Sequence, residues 1–189
     1  MKTAYITHPS SQRHEMGAHH PECPDRVAAI PDLLMRGVLD LMDAFEAPRA
    51  TLEQVGRAHD TRYLLELQAL SPAEGYVSVD PDTSMNPHTF EAALHAAGAS
   101  VLAAELVLRQ GYRRVFCNVR PPGHHAGRAG ASGFCFFNNA AVGIRHALDV
   151  LGLERVALID FDVHHGNGSE EILAGDERVL MGSTFQTRL

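Results

Sequence analysis

Short apolar runs alternate along the chain with longer segments in which apolar residues recur every three or four positions. The runs at 2–7, 115–119, 156–160 and 179–183 predict strands, and the middle two are apolar enough for a sheet covered on both faces. Leu94, Ala97, Val101, Ala104 and Leu108 mark one face of a helix over 89–110, with Gly111 as its stop. A second helix is predicted over 138–151, with Ala141, Ile144, Ala147, Leu148 and Leu151 inward and Gly152 ahead of the next strand. Further helices are predicted over 25–36, interrupted by Pro31, and over 61–70. Pro72, Gly75, Asp80, Pro81, Asp82, Ser84 and Asn86 favour turns, so 70–87 reads as a long surface loop. This alternation predicts an α/β fold, with βαβ units around a mainly parallel sheet and helices on both faces. No repeat, low-complexity tract or linker divides the chain, so one domain over 1–189 is expected.

Composition narrows the function classes. With 189 residues and 45% hydrophobic content, the chain can bury one sizeable core. A net charge of −7 leaves no basic footprint to neutralise phosphates, which argues against direct nucleic-acid binding. The apolar run at the amino terminus is too short for a signal peptide and no eighteen-residue apolar stretch occurs, so a soluble, cytoplasmic protein without a membrane partner is expected. Cys23, Cys117 and Cys135 form no C-x-x-C pair and read as reduced thiols.

Twelve histidines, in a chain without tryptophan, change the picture. Six of them, His8, His14, His59, His88, His95 and His146, are scattered and read as surface or core residues. The other six form the doublets His19-His20, His124-His125 and His164-His165, of which the last two follow predicted strands, where sites form in open α/β sheets. In the run Asp160-Phe161-Asp162-Val163-His164, strand alternation places Asp160, Asp162 and His164 on one face. A carboxylate with a neutral imidazole suits zinc and a metal-activated water; an acidic turn capped by Asp and Gly would give the same pattern. His124 and His125, in a loop bounded by Pro and Gly, could supply acid and base groups near neutral pH. Neighbouring sheet ends could bring His124, His125, Asp162 and His164 into one cleft, with Asp160 and Asn167 at hand to orient the imidazoles. Phe134, beside Gly133, reads as a site wall, whereas Phe136 and Phe137 read as core.

The motifs R-P-P-G-H-H-A, G-F-C-F-F-N-N and D-F-D-V-H-H-G-N-G, in this order, resemble those of the histone deacetylase and acetylpolyamine amidohydrolase superfamily. The likeness runs from His19-His20-Pro21-Glu22 to Phe185-Gln186, and Asn167 is similar to the class II and bacterial branch. It implies an arginase/deacetylase-like three-layer α/β/α fold and a zinc-dependent deacetylase acting on acetyl-lysine or a small acetylated amine. Zinc would be held by Asp162, His164 and a later aspartate. His125 would be general base and acid, His124 would assist electrostatically, and Asp160 and Asn167 would orient His124 and His125. Gly133 and Phe134 would line the acyl-lysine tunnel, with Asp82 at its rim and Arg26 toward the acetate exit. A structural potassium ion would sit on Asp160, Asp162, His164, Ser183 and Thr184.

After Gln186 the resemblance breaks off, and in the family the third zinc ligand and a transition-state tyrosine follow later. The expectation is therefore a fold whose C-terminal part is missing, with two protein zinc donors and an unpaired edge at the last strand. A fragment of a longer protein, a truncated gene product and a form completed by a second polypeptide all fit this pattern, with a homo-oligomer or a completing polypeptide as the partner in the last case. One competing reading is a catalytically incompetent metal-binding or interaction module. Another, an arginase-like dinuclear manganese hydrolase, is disfavoured because Gly166 stands where D-x-H-x-D needs its second aspartate.

Overall fold

The computed structural model describes residues 2–34 and 37–187. In chain order, β1 (Thr3–Thr7) leads into α1 (Ser10–Arg13), α2 (Asp25–Leu34), β2 (Asp43–Glu46), α3 (Leu52–Gly56) and α4 (Thr61–Leu70). There follow β3 (Val77–Asp80), β4 (Thr83–Met85), α5 (Thr89–Arg109), β5 (Arg114–Asn118), α6 (Asn139–Asp149), β6 (Val156–Asp160), α7 (Asn167–Leu173) and β7 (Val179–Ser183). The four predicted strands and four predicted helices recur with small shifts at their ends; positions 35 and 36 of the helix predicted over 25–36 lie outside the described residues.

The stretch expected to be a surface loop, 70–87, instead forms an antiparallel hairpin of β3 and β4 with an irregular register between Ser78 and Asp80. Turn-formers occupy its tip, while Val77 and Val79 pack against the core and Met85 is fully buried. That alternation of apolar and polar positions outweighs the turn-rich composition. β2, α1, α3 and α7 are too short for periodicity to reveal.

Strand β1 lies parallel between β2 and β5, and β6 lies parallel to β7, with Asp160 opposite Ser183. α5 and α6 pack against one another and cover one face of these strands. Leu94, Ala97 and Val101 of α5 join Val142, Ile144 and Leu148 of α6 in the main core, against Val156 and Leu158 of β6. Ala4 and Ile6 of β1 meet Ala99 and Leu106 of α5 in a second cluster. On the opposite face of β1, Tyr5 is covered from the α2 side, where Asn118 Nδ2 donates to Tyr5 Oη at 2.7 Å and to Val27 O at 2.9 Å. α5 spans 21 residues and holds an eighteen-residue stretch of mean hydropathy 1.4, long and apolar enough to cross a membrane, but half of that stretch is buried within the fold.

Among the described residues β5 pairs only with β1, and β6 only with β7. β7, where a free edge is expected, pairs only with β6 among the described residues. The ends of β5 and β6 both border an apolar groove of about 400 Å³ lined by Val107, Leu108, Val115, Cys117, Ile144 and Val156.

α3 illustrates how locally the ends are fixed. Thr51 Oγ1 accepts from Gln54 N–H at 3.1 Å, and Gln54 Oε1 accepts from Thr51 N–H at 2.9 Å, a complete capping box. Thr51→Ala is expected to cost about 1 kcal/mol in urea unfolding, because it orphans an N-terminal amide of the helix that buries Val55.

Candidate active site

Two loops meet at the carboxyl ends of β5 and β6. Beyond β5, Pro121, Pro122 and Gly123 lead into His124 and His125. Beyond β6, the chain turns through Asp162 and His164 and enters α7 at Asn167. Ser169 N–H, in the first turn of α7, donates to His124 O at 3.0 Å and ties the loops together.

The segment after Asp160 is not the extended strand that sequence alternation predicts. β6 stops at Asp160, and two successive side chain-to-backbone bonds bend the chain. Asp162 N–H donates to Asp160 Oδ1 at 3.1 Å and His164 N–H donates to Asp162 Oδ1 at 2.8 Å. Such Asx turns are what short carboxylates offer in place of a ladder bond. They still bring Asp160, Asp162 and His164 together, while Phe161 is left 86% exposed.

Each histidine of the first doublet has an assigned partner. His124 Nδ1–H donates to Asp160 Oδ2 at 3.0 Å; a carboxylate only accepts, so the proton sits on Nδ1 and Nε2 is free. His125 Nδ1–H donates to Asn167 Oδ1 at 2.7 Å, which again frees Nε2. The two rings lie 4.0 Å apart at 45°, and the His164 ring is 5.9 Å from that of His125. Gly166 permits the closeness, since a Cβ there would stand 2.2 Å from Asp160 Oδ2.

Burial pushes the His125 imidazole below its ordinary value. The bond to Asn167 opposes this, and the neighbouring His124 and His164 add to it. A neutral ring with a free Nε2 is the form that can take a proton. Burial would raise the Asp162 carboxyl, but the His164 N–H together with the His124 and His164 imidazoles outweighs it and holds Asp162 below the usual carboxylate range.

Asp162 and His164 are the groups that could hold a metal. His164 Nδ1 and Asp162 Oδ1 stand 3.1 Å apart, and His124 Nε2 is 4.0 Å from the same oxygen. Their side chains are 50% and 56% exposed, against 11% for Asp160, so the pair opens outward while its support is buried. The donor chemistry fits a borderline divalent ion, yet among the described residues no group of three or more His, Cys, Asp or Glu side chains converges. Ser183 Oγ is buried and has no hydrogen-bond partner among the described residues, and Thr184, which is exposed, donates its N–H to Asp160 O at 3.0 Å.

The expected wall lies beside the paired imidazoles: a Cβ on Gly133 would stand 2.4 Å from His125 Cδ2, and Phe134 follows with its N–H on Thr83 Oγ1 at 2.9 Å. Asp82 is adjacent to Thr83, and its carbonyl accepts from His20 Nε2 at 3.1 Å. Arg26 stands apart and lines a pocket of about 140 Å³ with Glu22, Asn118, Arg120 and Pro122. Phe136 and Phe137 are fully buried.

Sequence reading missed the support beneath these loops. Glu22, His14 and Arg120 form a buried charged cluster at the root of the histidine loop. His59 Nε2 accepts from Asn138 N–H at 2.8 Å, and Asn138 Nδ2 donates to Ser169 Oγ at 3.0 Å and to Ala126 O at 3.3 Å. Glu22 and Arg120 lie within recognisable motifs, but nothing in one sequence says that they pair.

The family described as the histone deacetylase domain matches residues 20–189. A probable deacetylase of Archaeoglobus fulgidus is 37% identical over 195 residues, covering 100% of this chain and 53% of that protein. A polyamine deacetylase, HDAC10, of Rattus norvegicus is 37% identical over 171 residues, covering 84% of this chain and 28% of that protein. The crystal structure of the HDA15 HD domain superposes with a TM-score of 0.91 at 34% identity, over 97% of this chain and 53% of that one. The chain thus spans about half the length, or less, of these three proteins.

Proposed function

This chain belongs to the histone deacetylase family, and on that premise we propose that its site is the catalytic centre of a zinc-dependent amidohydrolase that removes acetyl groups from primary amines, either a lysine side chain or a small polyamine-like amine. The observation that carries this is the pair of imidazoles whose Nδ1–H groups are committed to Asp160 and Asn167, with both Nε2 atoms free beside Asp162 and His164. The polyamine deacetylase and the probable deacetylase among the relatives support the reaction class.

Zinc would be held by Asp162 and His164 and would supply there the Lewis acidity for activating water and polarising an amide carbonyl. His125 Nε2 takes the proton from the attacking water and returns it to the departing amine nitrogen. Asn167 fixes the tautomer for both steps and, being uncharged, biases His125 toward the imidazolium less strongly than a carboxylate would. His124, paired to the carboxylate of Asp160, assists electrostatically from the other side. Gly133 and Phe134 line the approach of the acylated amine, and Asp82 stands at its rim with a carboxylate suited to a cationic or amide N–H group. Arg26 would meet departing acetate, a role supported by its lining the pocket that Arg120 and Pro122 share with the root of the histidine loop. The orphaned Ser183 Oγ fits a structural potassium ion shared with Asp160, Asp162, His164 and Thr184.

A metal-binding module without turnover is the second reading, favoured by the two-donor count among the described residues. Titration calorimetry with zinc and hydrolysis of an acetyl-lysine or acetyl-polyamine reporter separate the two. We expect Asp162→Ala and His164→Ala each to weaken zinc binding by more than about tenfold and to abolish zinc-stimulated hydrolysis. Zinc binding unchanged by both substitutions would sink the metal assignment; binding without turnover would select the second reading.

A further inference from the structure

The wall beside His125 is a tight turn in an unfavourable conformation. Ser132 and Cys135 close it with reciprocal backbone bonds, Ser132 N–H to Cys135 O at 3.1 Å and Cys135 N–H to Ser132 O at 2.9 Å. Its central residues, Gly133 and Phe134, have φ angles of 54° and 70°, the left-handed pair of a type I′ turn. Glycine adopts this freely. Phenylalanine does not, and such a residue persists in that region only when its surroundings hold it there.

Thr83 does the holding. It sits in β4, is 0% exposed, and its hydroxyl makes two bonds at once. It accepts from Phe134 N–H at 2.9 Å and donates to Asp82 Oδ1 at 3.0 Å. Asp82 is itself fixed, its N–H donating to Asp80 Oδ1 at 2.9 Å. On the other side of Phe134, the His20 ring meets it edge-on at 4.7 Å while its Nε2–H donates to Asp82 O. The turn in turn abuts the His125 ring at Gly133, with no room for a side chain between them.

We propose that Thr83 is a positioning residue of the active site: its hydroxyl locks the Gly133–Phe134 turn, and through that turn sets both the wall of the substrate approach and the seat of the His125 ring. The catalytic half of this statement rests on the deacetylase reading above; the lock itself does not. The hairpin that carries Thr83 thereby joins the rim carboxylate of Asp82 to the base, so a ligand engaging the rim acts on the same hydroxyl that holds the wall.

Thr83→Val keeps the shape and removes both bonds, whereas Thr83→Ser keeps the hydroxyl. Amide exchange at Phe134, followed by NMR in the 189-residue chain, reads the lock without any need for turnover. The Phe134 amide should be protected in the unaltered chain, should exchange about tenfold faster in Thr83→Val, and should change by less than about twofold in Thr83→Ser. Amides in the middle of α5 report on global stability and should be unaffected. In zinc-loaded protein, Thr83→Val should raise KM and lower kcat on the acetyl-lysine reporter, and Thr83→Ser should restore both. An unprotected Phe134 amide in the unaltered chain overturns the proposal, and this measurement decides even where Thr83→Val does not fold. Unchanged Phe134 exchange in a folded Thr83→Val overturns it equally. Absence of hydrolysis in the unaltered chain counts against the deacetylase reading alone, and the exchange data still decide the lock.

Discussion

Glu22→Ala is expected to cost about 3–5 kcal/mol of folding stability, because it strips a buried guanidinium of its counter-ion. Arg120 and Glu22 are 4% and 1% exposed and meet through two bonds, Nε to Oε1 and Nη2 to Oε2. Nη1 donates to the carbonyls of Ser11 and His14, so the cation also gathers the turn around α1. His14 Nε2 is 3.3 Å from Glu22 Oε2 and its Nδ1 meets Thr89 Oγ1 at 2.8 Å, which joins α5 to the cluster. Burial alone would raise the Glu22 carboxyl, but His14 and Arg120 together hold it below the usual range; burial keeps the His14 imidazole low. The resting state is thus a carboxylate and a guanidinium with a neutral imidazole beside them. Urea unfolding near neutral pH measures the loss, and a cost under about 1 kcal/mol would show that water reaches Arg120 once Glu22 is gone. The double substitution Glu22→Met with Arg120→Met should cost less than Glu22→Ala alone, since no charge is then left unpaired. Because Arg120 directly precedes Pro121 and the histidine loop, zinc-stimulated activity should fall in the single variant even where most of the chain remains folded.

The same cluster shows where a sequence stops being readable. Glu22 and Arg120 are 98 positions apart, and the pattern of charges along a single chain does not say which two will share a desolvated pocket. By contrast, the strands at Val156–Asp160 and Val179–Ser183 were readable because β-branched and apolar runs bounded by Gly and Asp have few other uses. The two histidine doublets pointed to one cleft because each follows such a strand. The route between Asp160 and His164 was not readable, since alternation assumes the strand continues, and here the carboxylates of Asp160 and Asp162 capture the next backbone amides and end it. The hairpin at Val77–Met85 was hidden for the opposite reason: its turn residues dominate the composition while three apolar side chains decide its packing. Thr83, at the start of its second strand, thus fell within a segment that looked like an unstructured loop, although it touches the wall of the site.

Acid should loosen the site from beneath, through His59. This residue is 2% exposed, and burial lowers its pKa from 6.5 to about 4. The unfolded chain takes up a proton near the ordinary value, whereas the folded chain resists it until about pH 4. Between these values the unfolded state binds more protons, so stability falls as pH falls through that window and levels off below it. At about 1.4 kcal/mol per pKa unit the contribution is on the order of 3 kcal/mol, fully present above the unfolded value. His14, also held low by burial, acts in the same direction, so the comparison must isolate His59. In His59→Gln, which can still accept from the Asn138 amide through its side-chain oxygen, the urea midpoint should fall less steeply between pH 7 and pH 4.5 than in the unaltered chain. Parallel pH profiles would show that His59 is not the group being protonated. The site feels this titration because a protonated Nε2 cannot accept the Asn138 N–H, and the Asn138 side chain is what holds both Ala126 O, next to His125, and Ser169 Oγ, in the first turn of α7. Loss of that one acceptor therefore releases the two segments that carry His125 and Asn167 from their shared support, so the protection factor of the Asn138 amide, corrected for the slower intrinsic exchange in acid, should fall on acidification before the midpoint of global unfolding is reached.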